Sequence, residues 1–217
     1  MFVVAPSPQC ALSVRDKRYR LFPVNAIYGC SGNFPGTGAF AMHSRALTTL
    51  FECPGKGVAE LAWGERFEGC TVSVQLAAVI GQCARAVTPE QALGCVWGWS
   101  VAISFESEAL AREAGPGAAG NLPGSLVMNS VLPVRRALDP VQSDMWLHVG
   151  NQRVISENTS RMIRPIGDLL SLVSRLWGLT SGDVVLSGSP LGHVTVRKGD
   201  ALEAGVGGIG SVRLVLS

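Results

Sequence analysis

The chain has 217 residues, enough for one domain with a sizeable buried core. Hydrophobic residues make up 47% and charged residues only 16%, and the formal net charge is +2. This weak charge, with no basic run, argues against a nucleic-acid-binding protein, and no stretch reaches the ~18 apolar residues that cross a bilayer.

Glycine, proline and cysteine add three further expectations. The 26 glycines and 12 prolines predict many tight turns, as in a β-rich protein. The six cysteines show no CxxC spacing and no Cys/His pairing suited to zinc. The start MFVVAPSPQ lacks the basic and apolar regions of a signal peptide. We therefore expect reduced thiols in a cytoplasmic protein.

The first part of the chain combines an arm, a loop and a buried strand. Residues 1–20 are expected to form an N-terminal arm with a hairpin around 14–17, and residues 21–217 to form the domain. The small residues and glycines of 29–45 predict a loop, whereas the apolar run 71–80 predicts a buried strand.

A helix start follows at Thr88, with Pro89 in the first turn and Gln91 placed to complete a capping box. The apolar WSVAISF segment after it predicts a strand, and Glu106–Ala114 predicts a helix.

Turn signals divide the second half into short elements. Residues 115–125 are rich in Gly and Pro and predict a mobile loop, and Gly150-Asn151 predicts the turn of a β-hairpin. The remaining predictions are a helix over 168–177 and strands over 183–187 and 211–216. Many short strands with three short helices define an α+β, strand-dominated fold.

Five stretches, in this order, resemble the fumarylacetoacetate hydrolase family, in particular its acylpyruvase and oxaloacetate decarboxylase-like members. They are FPVNAIYGCSGNF (22–34), LAAVIGQCARAVTPEQALGCVWGWSVA (76–102), MWLHVGNQRVISENTSRMI (145–163), GDVVLSGSPLGHV (182–194) and KGDALEAGVGGIGSVRL (198–214). The resemblance runs from about Leu21 to Ser217. It implies a mixed β-sheet roll with a few short helices, and a homodimer or a heterodimer with a paralogue.

Members of this family bind Mg²⁺ or Mn²⁺ through three carboxylates, and here the resemblance places Ser73, Gln75 and Ser104 at those positions. Three neutral oxygens cannot offset the dehydration of a hard divalent cation, so we expect the metal to be lost and no cofactor to bind. Glu106 and Glu108 are close enough in sequence to substitute, but they are better interpreted as solvated acids at a helix start.

The other catalytic positions implied by the resemblance are altered as well. The lid His falls near Thr37, the lid Arg at Gly32, the anchoring Lys near Asn121, a basic residue at Glu108 and the Thr of the TGTP motif at Ser189, while a lid Asn is kept as Asn33. Metal-assisted hydrolysis or decarboxylation of a 2-oxo acid is therefore not expected by the family route.

The remaining polar residues still predict a site. The catalytic candidates are His193 as acid or base, with Ser189, Gln75 and Ser104 as hydrogen-bonding groups, and the substrate-binding candidates are Asn33, His43, Asn121 and Gly188.

Three functions stay open on the sequence. The chain is a degenerate family member that keeps a pocket for a small carbonyl-type ligand, with silent or metal-independent isomerase, lyase or hydrolase-like chemistry. Alternatively, it is a metal-dependent hydrolase or decarboxylase of 2-oxo or acylpyruvate-type acids with unusual ligands. The third alternative is a non-catalytic subunit paired with an intact paralogue.

Overall fold

Short strands make up much of the chain. The computed structural model describes residues 10–18, 20–53, 57–190 and 194–217. The strands in these residues are β1 (Ala11–Ser13), β2 (Leu21–Pro23), β3 (Ala26–Ser31), β4 (Ala41–Arg45), β5 (Leu50–Glu52), β6 (Ala59–Leu61), β7 (Thr71–Ile80), β8 (Val96–Glu106), β9 (Leu126–Met128), β10 (Leu132–Pro133), β11 (Asp144–Val149), β12 (Gln152–Asn158), β13 (Asp183–Leu186), β14 (Val194–Thr195), β15 (Ala201–Val206) and β16 (Gly210–Leu216). The α-helices are α1 (Pro89–Gly94), α2 (Glu108–Ala114) and α3 (Ile166–Leu176).

The strands form two large mixed sheets and one small hairpin. The larger sheet has nine strands, in the order β4-β3-β13-β7-β8-β9-β5, with β10 added to β8 and β14 added to β7. The second sheet has five strands in the order β12-β11-β15-β16-β6. Parallel pairs (β3 with β13, β5 with β9, β6 with β16) occur among antiparallel ones. The α+β, strand-dominated class is confirmed.

The long antiparallel pair β7/β8 is buried on both of its faces, which explains why residues 76–80 of β7 are apolar without alternation. Alternate residues of a strand point to opposite faces. Val72 and Val74 belong to the main core cluster, which also takes its members from the five-stranded sheet. Ala77 and Val79 belong to a smaller cluster on the other face, with Leu12 and residues of β2. The polar residues of β7 share this second face.

Local signals predicted several elements correctly. The Thr88 hydroxyl oxygen accepts a hydrogen bond from the Gln91 backbone N–H, and the Gln91 side-chain oxygen accepts one from the Thr88 backbone N–H, so the capping box at α1 is confirmed. β11 and β12 pair across Gly150, whose φ of 56° suits the predicted hairpin turn. The last predicted helix is observed as α3, two residues earlier at its start than its periodicity indicated.

Two local predictions were wrong. The segment 29–45 is not all loop, because its two ends lie in β3 and β4, which pair with each other. Glu106 does not begin a helix, because pairing with Thr71 extends β8 through Glu106, and α2 begins at Glu108. The small residues and glycines of 29–45 give little sign of the pairing between β3 and β4. The end of β8 is set by tertiary pairing, which no local pattern predicts.

The described part of the N-terminal arm packs on the domain. β1 pairs with β2 in the expected hairpin, and the Leu12 side chain is fully buried. The boundary between an arm over 1–20 and a domain over 21–217 stays a prediction. Among the described residues, none lies in a helix both long and apolar enough to span a membrane.

Candidate functional site

The β7/β8 pair brings the three predicted ligand positions together. Ser73 lies directly opposite Ser104, and Gln75 lies opposite Ala102. All three polar side chains are buried on the same face of the sheet. The Oε1 atom of Gln75 has no hydrogen-bond partner among the described residues.

Ser189 reaches this face from the segment that follows β13. Its Oγ lies 2.6 Å from the Oγ of Ser73, so one of the two hydroxyls donates to the other. Ser187 fixes the segment, since its backbone N–H donates to the Leu76 carbonyl and its Oγ accepts from the Leu76 N–H. Gly188 has a φ of 79° and packs closely against Cys30 and Asn33, so a side chain there is excluded. These contacts hold the two hydroxyls together.

A buried arginine reaches the position of the third ligand. Nη2 of Arg45, at the end of β4, donates a 2.8 Å hydrogen bond to Oγ of Ser104 and lies 3.6 Å from Oε1 of Glu106. The Arg45 side chain is only 1% exposed, and its Nε and Nη1 have no hydrogen-bond partner within the described ranges. Burial lowers the pKa of the guanidinium and Glu106 opposes that effect, but an arginine remains a cation.

Gly120 makes room for this guanidinium. A Cβ atom at Gly120 would overlap Nη2 and Cζ of Arg45 and would lie 2.8 Å from Nε. The Gly120 carbonyl accepts a hydrogen bond from Ser125, which fixes the backbone at this point. The arginine and the glycine therefore form a matched pair.

A cavity of about 350 Å³ opens over this face of the sheet. Its walls come from the end of β3, the Gly-rich segment 32–38, Ser73, Ser189 and Glu106. The Glu106 side chain is 41% exposed and is the carboxylate among the described residues of the lining. Cys30 also contributes to the lining, and burial raises its pKa to about 12, so this thiol stays protonated.

Asn33 lies behind the cavity and is fully buried. Its Nδ2 donates to the carbonyls of Ser187 (2.8 Å) and Arg164 (3.1 Å), and its Oδ1 accepts from the Arg164 backbone at 2.9 Å. The amide thus connects three segments, and both of its polar atoms are engaged by backbone groups.

His43 and Asn121 lie near Arg45, and neither is among the described residues that line the cavity. Burial, and next the positive charge of Arg45, lower the pKa of His43 to about 4, so it is neutral at pH 7. Asn121 accepts from the Ala46 N–H at 2.8 Å and donates to the Gly117 carbonyl at 3.0 Å. Its amide therefore holds the end of β4 against the segment that carries Gly120.

The other candidates are distributed as follows. His193 lies outside the described residues. Thr37 and Gly32, at the lid positions, line the cavity. Glu108 forms an exposed ion pair with Arg112 one turn along α2.

Sequence reasoning missed Arg45, and it interpreted Glu106 as a solvated acid at a helix start, whereas Glu106 lies at the end of β8 in the cavity lining. The position of Glu106 could have been predicted from the sequence. It stands two residues after Ser104, and the alternation of side chains along a strand places both on one face. Arg45 gave no such signal, since it is 59 residues away from Ser104 and meets it only through folding.

The fold is that of a known class of proteins. The fumarylpyruvate hydrolase of Pseudomonas aeruginosa, solved in complex with Mn²⁺ and pyruvate, has a TM-score of 0.88 at 22% identity and covers 100% of both chains. The fumarylacetoacetate hydrolase of Exiguobacterium antarcticum has a TM-score of 0.80 at 23% identity, over 94% of this chain and 80% of its own. The mixed-sheet roll is that of the fumarylacetoacetate hydrolases.

Residues 49–216 match the family described as fumarylacetoacetate (FAA) hydrolase C-terminal, and the chain belongs to this family. It is 32% identical over 167 residues to the rice protein "Oxaloacetate tautomerase FAHD2, mitochondrial", covering 75% of this chain and 74% of that one. The Arabidopsis thaliana protein of the same name is 33% identical over 148 residues, 64% of this chain and 65% of its own. The chain thus spans about two thirds to three quarters of these relatives, and the family resemblance is confirmed.

Proposed function

We propose that this protein binds a small carbonyl-containing ligand in the β7/β8 pocket without a divalent cation, and that its chemistry is a metal-independent rearrangement of that ligand. The observation that carries the proposal is the hydrogen bond from the buried Arg45 guanidinium to Ser104. The Arg45 guanidinium thus brings a positive charge of the protein itself to the third ligand position, where a metal cation would otherwise be bound.

The donor set does not fit Mg²⁺ or Mn²⁺, although a Mn²⁺ complex is known for the P. aeruginosa enzyme. Ser73, Gln75 and Ser104 offer neutral oxygens, and hard divalent cations need anionic ones. The described residues contain no group of three His, Cys, Asp or Glu side chains able to hold a metal ion. A doubly charged ion ~5 Å from a guanidinium is repelled by roughly 7 kcal/mol at an effective dielectric constant of ~20.

The pocket offers hydroxyl groups to a carbonyl oxygen. The Ser73–Ser189 pair presents an O–H donor at its edge of the cavity, where a ketone or enolate oxygen can accept it. A volume of about 350 Å³ lies at the small end of the range for ligand pockets. Two relatives suggest the probes. They are pyruvate, which is bound in the P. aeruginosa structure, and oxaloacetate, the substrate that the rice tautomerase is named for.

The first test is calorimetry of the metal-free protein with Mn²⁺ and Mg²⁺. We expect no stoichiometric binding of either ion by the wild-type chain. The positive control is a variant that restores the family ligands with Ser73→Glu, Gln75→Glu and Ser104→Asp. It also replaces the guanidinium side chain, with Arg45→Met. Stoichiometric micromolar binding of Mn²⁺ to the wild type would overturn the proposal.

The second test measures binding of pyruvate and oxaloacetate in buffer with EDTA. We expect Ser73→Ala to weaken binding about 5-fold, the value of one net hydrogen bond of ~1 kcal/mol. Ser211→Ala, on the exposed face of β16, is the matched control and should bind like the wild type. Failure of both ligands to bind, or binding only with added Mn²⁺, contradicts the proposal.

A further inference from the structure

We infer that Glu106 is the proton acceptor of this pocket and that the ligand is an enolisable carbonyl compound, whose oxygen is held by the Ser73–Ser189 pair. The inference rests on the proposed ligand class and adds the group that performs the chemistry.

Register places the carboxylate and the hydroxyls at a useful separation. Glu106 pairs with Thr71, one alternation along β7 from Ser73. Glu106 is therefore the diagonal neighbour of Ser73 across the strand pair, on the same face, and such neighbours are ~7–8 Å apart. A hydrogen-bonded carbonyl oxygen, its carbon, the adjacent carbon and a contacting carboxylate oxygen together span roughly 8 Å, with ~2.8 Å for the hydrogen bond and ~3.3 Å for the carbon–oxygen contact. A ketone whose oxygen accepts from the hydroxyl pair is thus long enough for its α-carbon to come within reach of Glu106.

Burial and charge single out Glu106 among the described groups of the lining. Its side chain is partly exposed to the cavity, whereas the Cys30 thiol remains protonated. His43 is neutral and is not among the described residues that line the cavity. Arg45, at 3.6 Å, orients the carboxylate and balances its charge, which makes it a positioning residue.

The proton shift is balanced within the site. An oxygen of Glu106 takes a proton from the α-carbon, and the electrons of the C–H bond form a carbon–carbon double bond. The π electrons of the carbonyl move onto its oxygen, which accepts the hydrogen bond from the hydroxyl pair. The protonated Glu106 then returns a proton to the oxygen or to the carbon. No oxidant, reductant or further reactant is needed.

Exchange of the methyl protons of pyruvate in D₂O, followed by proton NMR with EDTA present, tests this inference. We expect the wild type to accelerate exchange above buffer, and Glu106→Gln to lower the accelerated rate about 100-fold or more. Pyruvate affinity of Glu106→Gln should stay within about 3-fold of wild type. Glu108→Gln, which changes an exposed acid two residues away, is the matched control and should exchange at the wild-type rate.

The outcomes separate this inference from the proposed function. Exchange by Glu106→Gln at the wild-type rate, or pyruvate binding by the wild type with no accelerated exchange, overturns the role of Glu106 and leaves the metal-free pocket intact. Failure of pyruvate and oxaloacetate to bind, or exchange that requires Mn²⁺, overturns the proposed function itself.

Discussion

Replacing Gly120 by alanine tests whether Arg45 is fixed beside Ser104. The new methyl group would overlap Nη2 and Cζ of Arg45. No positive φ is found at Gly120, so its backbone accepts alanine and the effect is one of packing. The guanidinium has no free path, since its side chain is 1% exposed. It must therefore leave Ser104, or the backbone around Gly120 must shift.

The magnitude follows from these contacts. Overpacking a filled site costs ~1–3 kcal/mol, and loss of a hydrogen bond to a charged group costs ~1.5–3 kcal/mol. Both values describe the same displacement of the Arg45 guanidinium, so they are not added. Replacing a glycine restricts the unfolded chain and returns ~0.4–1 kcal/mol. We expect a net loss of about 2 kcal/mol, which for a chain of this size lowers Tm by ~4–8 °C.

Urea denaturation of Gly120→Ala, Arg45→Met and the double variant measures this coupling. In the Arg45→Met background the cost of Gly120→Ala should fall to within about 0.5 kcal/mol of zero. Gly94→Ala is the control, because a Cβ there meets nothing within 4 Å. The reasoning is refuted if Gly120→Ala behaves like Gly94→Ala, or if its cost is unchanged without Arg45.

Three further predictions concern stability. His43 is neutral in the folded protein, with a pKa of about 4, and takes up a proton near pH 6.5 when unfolded, so the stability present above pH 6.5 is lost as pH falls from 6.5 to 4. Urea denaturation between pH 6.5 and 4 should show this loss, up to ~3 kcal/mol, and His43→Gln should make the free energy of unfolding depend less on pH. An equally steep pH dependence in the variant would contradict the role of His43. Asn33→Ala should cost ~2–3 kcal/mol in urea denaturation, because it leaves buried backbone groups unpaired, and a cost below ~0.5 kcal/mol counts against its connecting role. Thr88→Ala should lower thermal stability by ~1 kcal/mol through loss of the α1 cap, whereas an unchanged Tm would show that the capping box adds nothing.

Local patterns predicted the parts of the fold that local physics determines. The capping box at Thr88 and the turn at Gly150 depend on neighbours within a few residues, and both are as predicted. The family resemblance placed Ser73 and Ser104 at one site, and the strand register puts them face to face.

What sequence reasoning missed depends on pairing between distant segments. The strands at the two ends of 29–45 are stabilised by each other, and their small residues carry little strand propensity of their own. Glu106 belongs to β8 because of its pairing with Thr71, which no local window contains. Arg45 meets Ser104 only once β4 is in place at the edge of the sheet.

The position of β13 has a consequence for how the chain folds during synthesis. β13 is formed by residues near 185, yet it lies between β3 and β7 in the middle of the larger sheet. Until those residues leave the ribosome, β3 and β7 each present an unpaired edge. Such non-local pairing slows folding and exposes edges that invite association with other chains. We expect the nascent chain to need chaperone protection until β13 inserts and joins the two halves of the sheet.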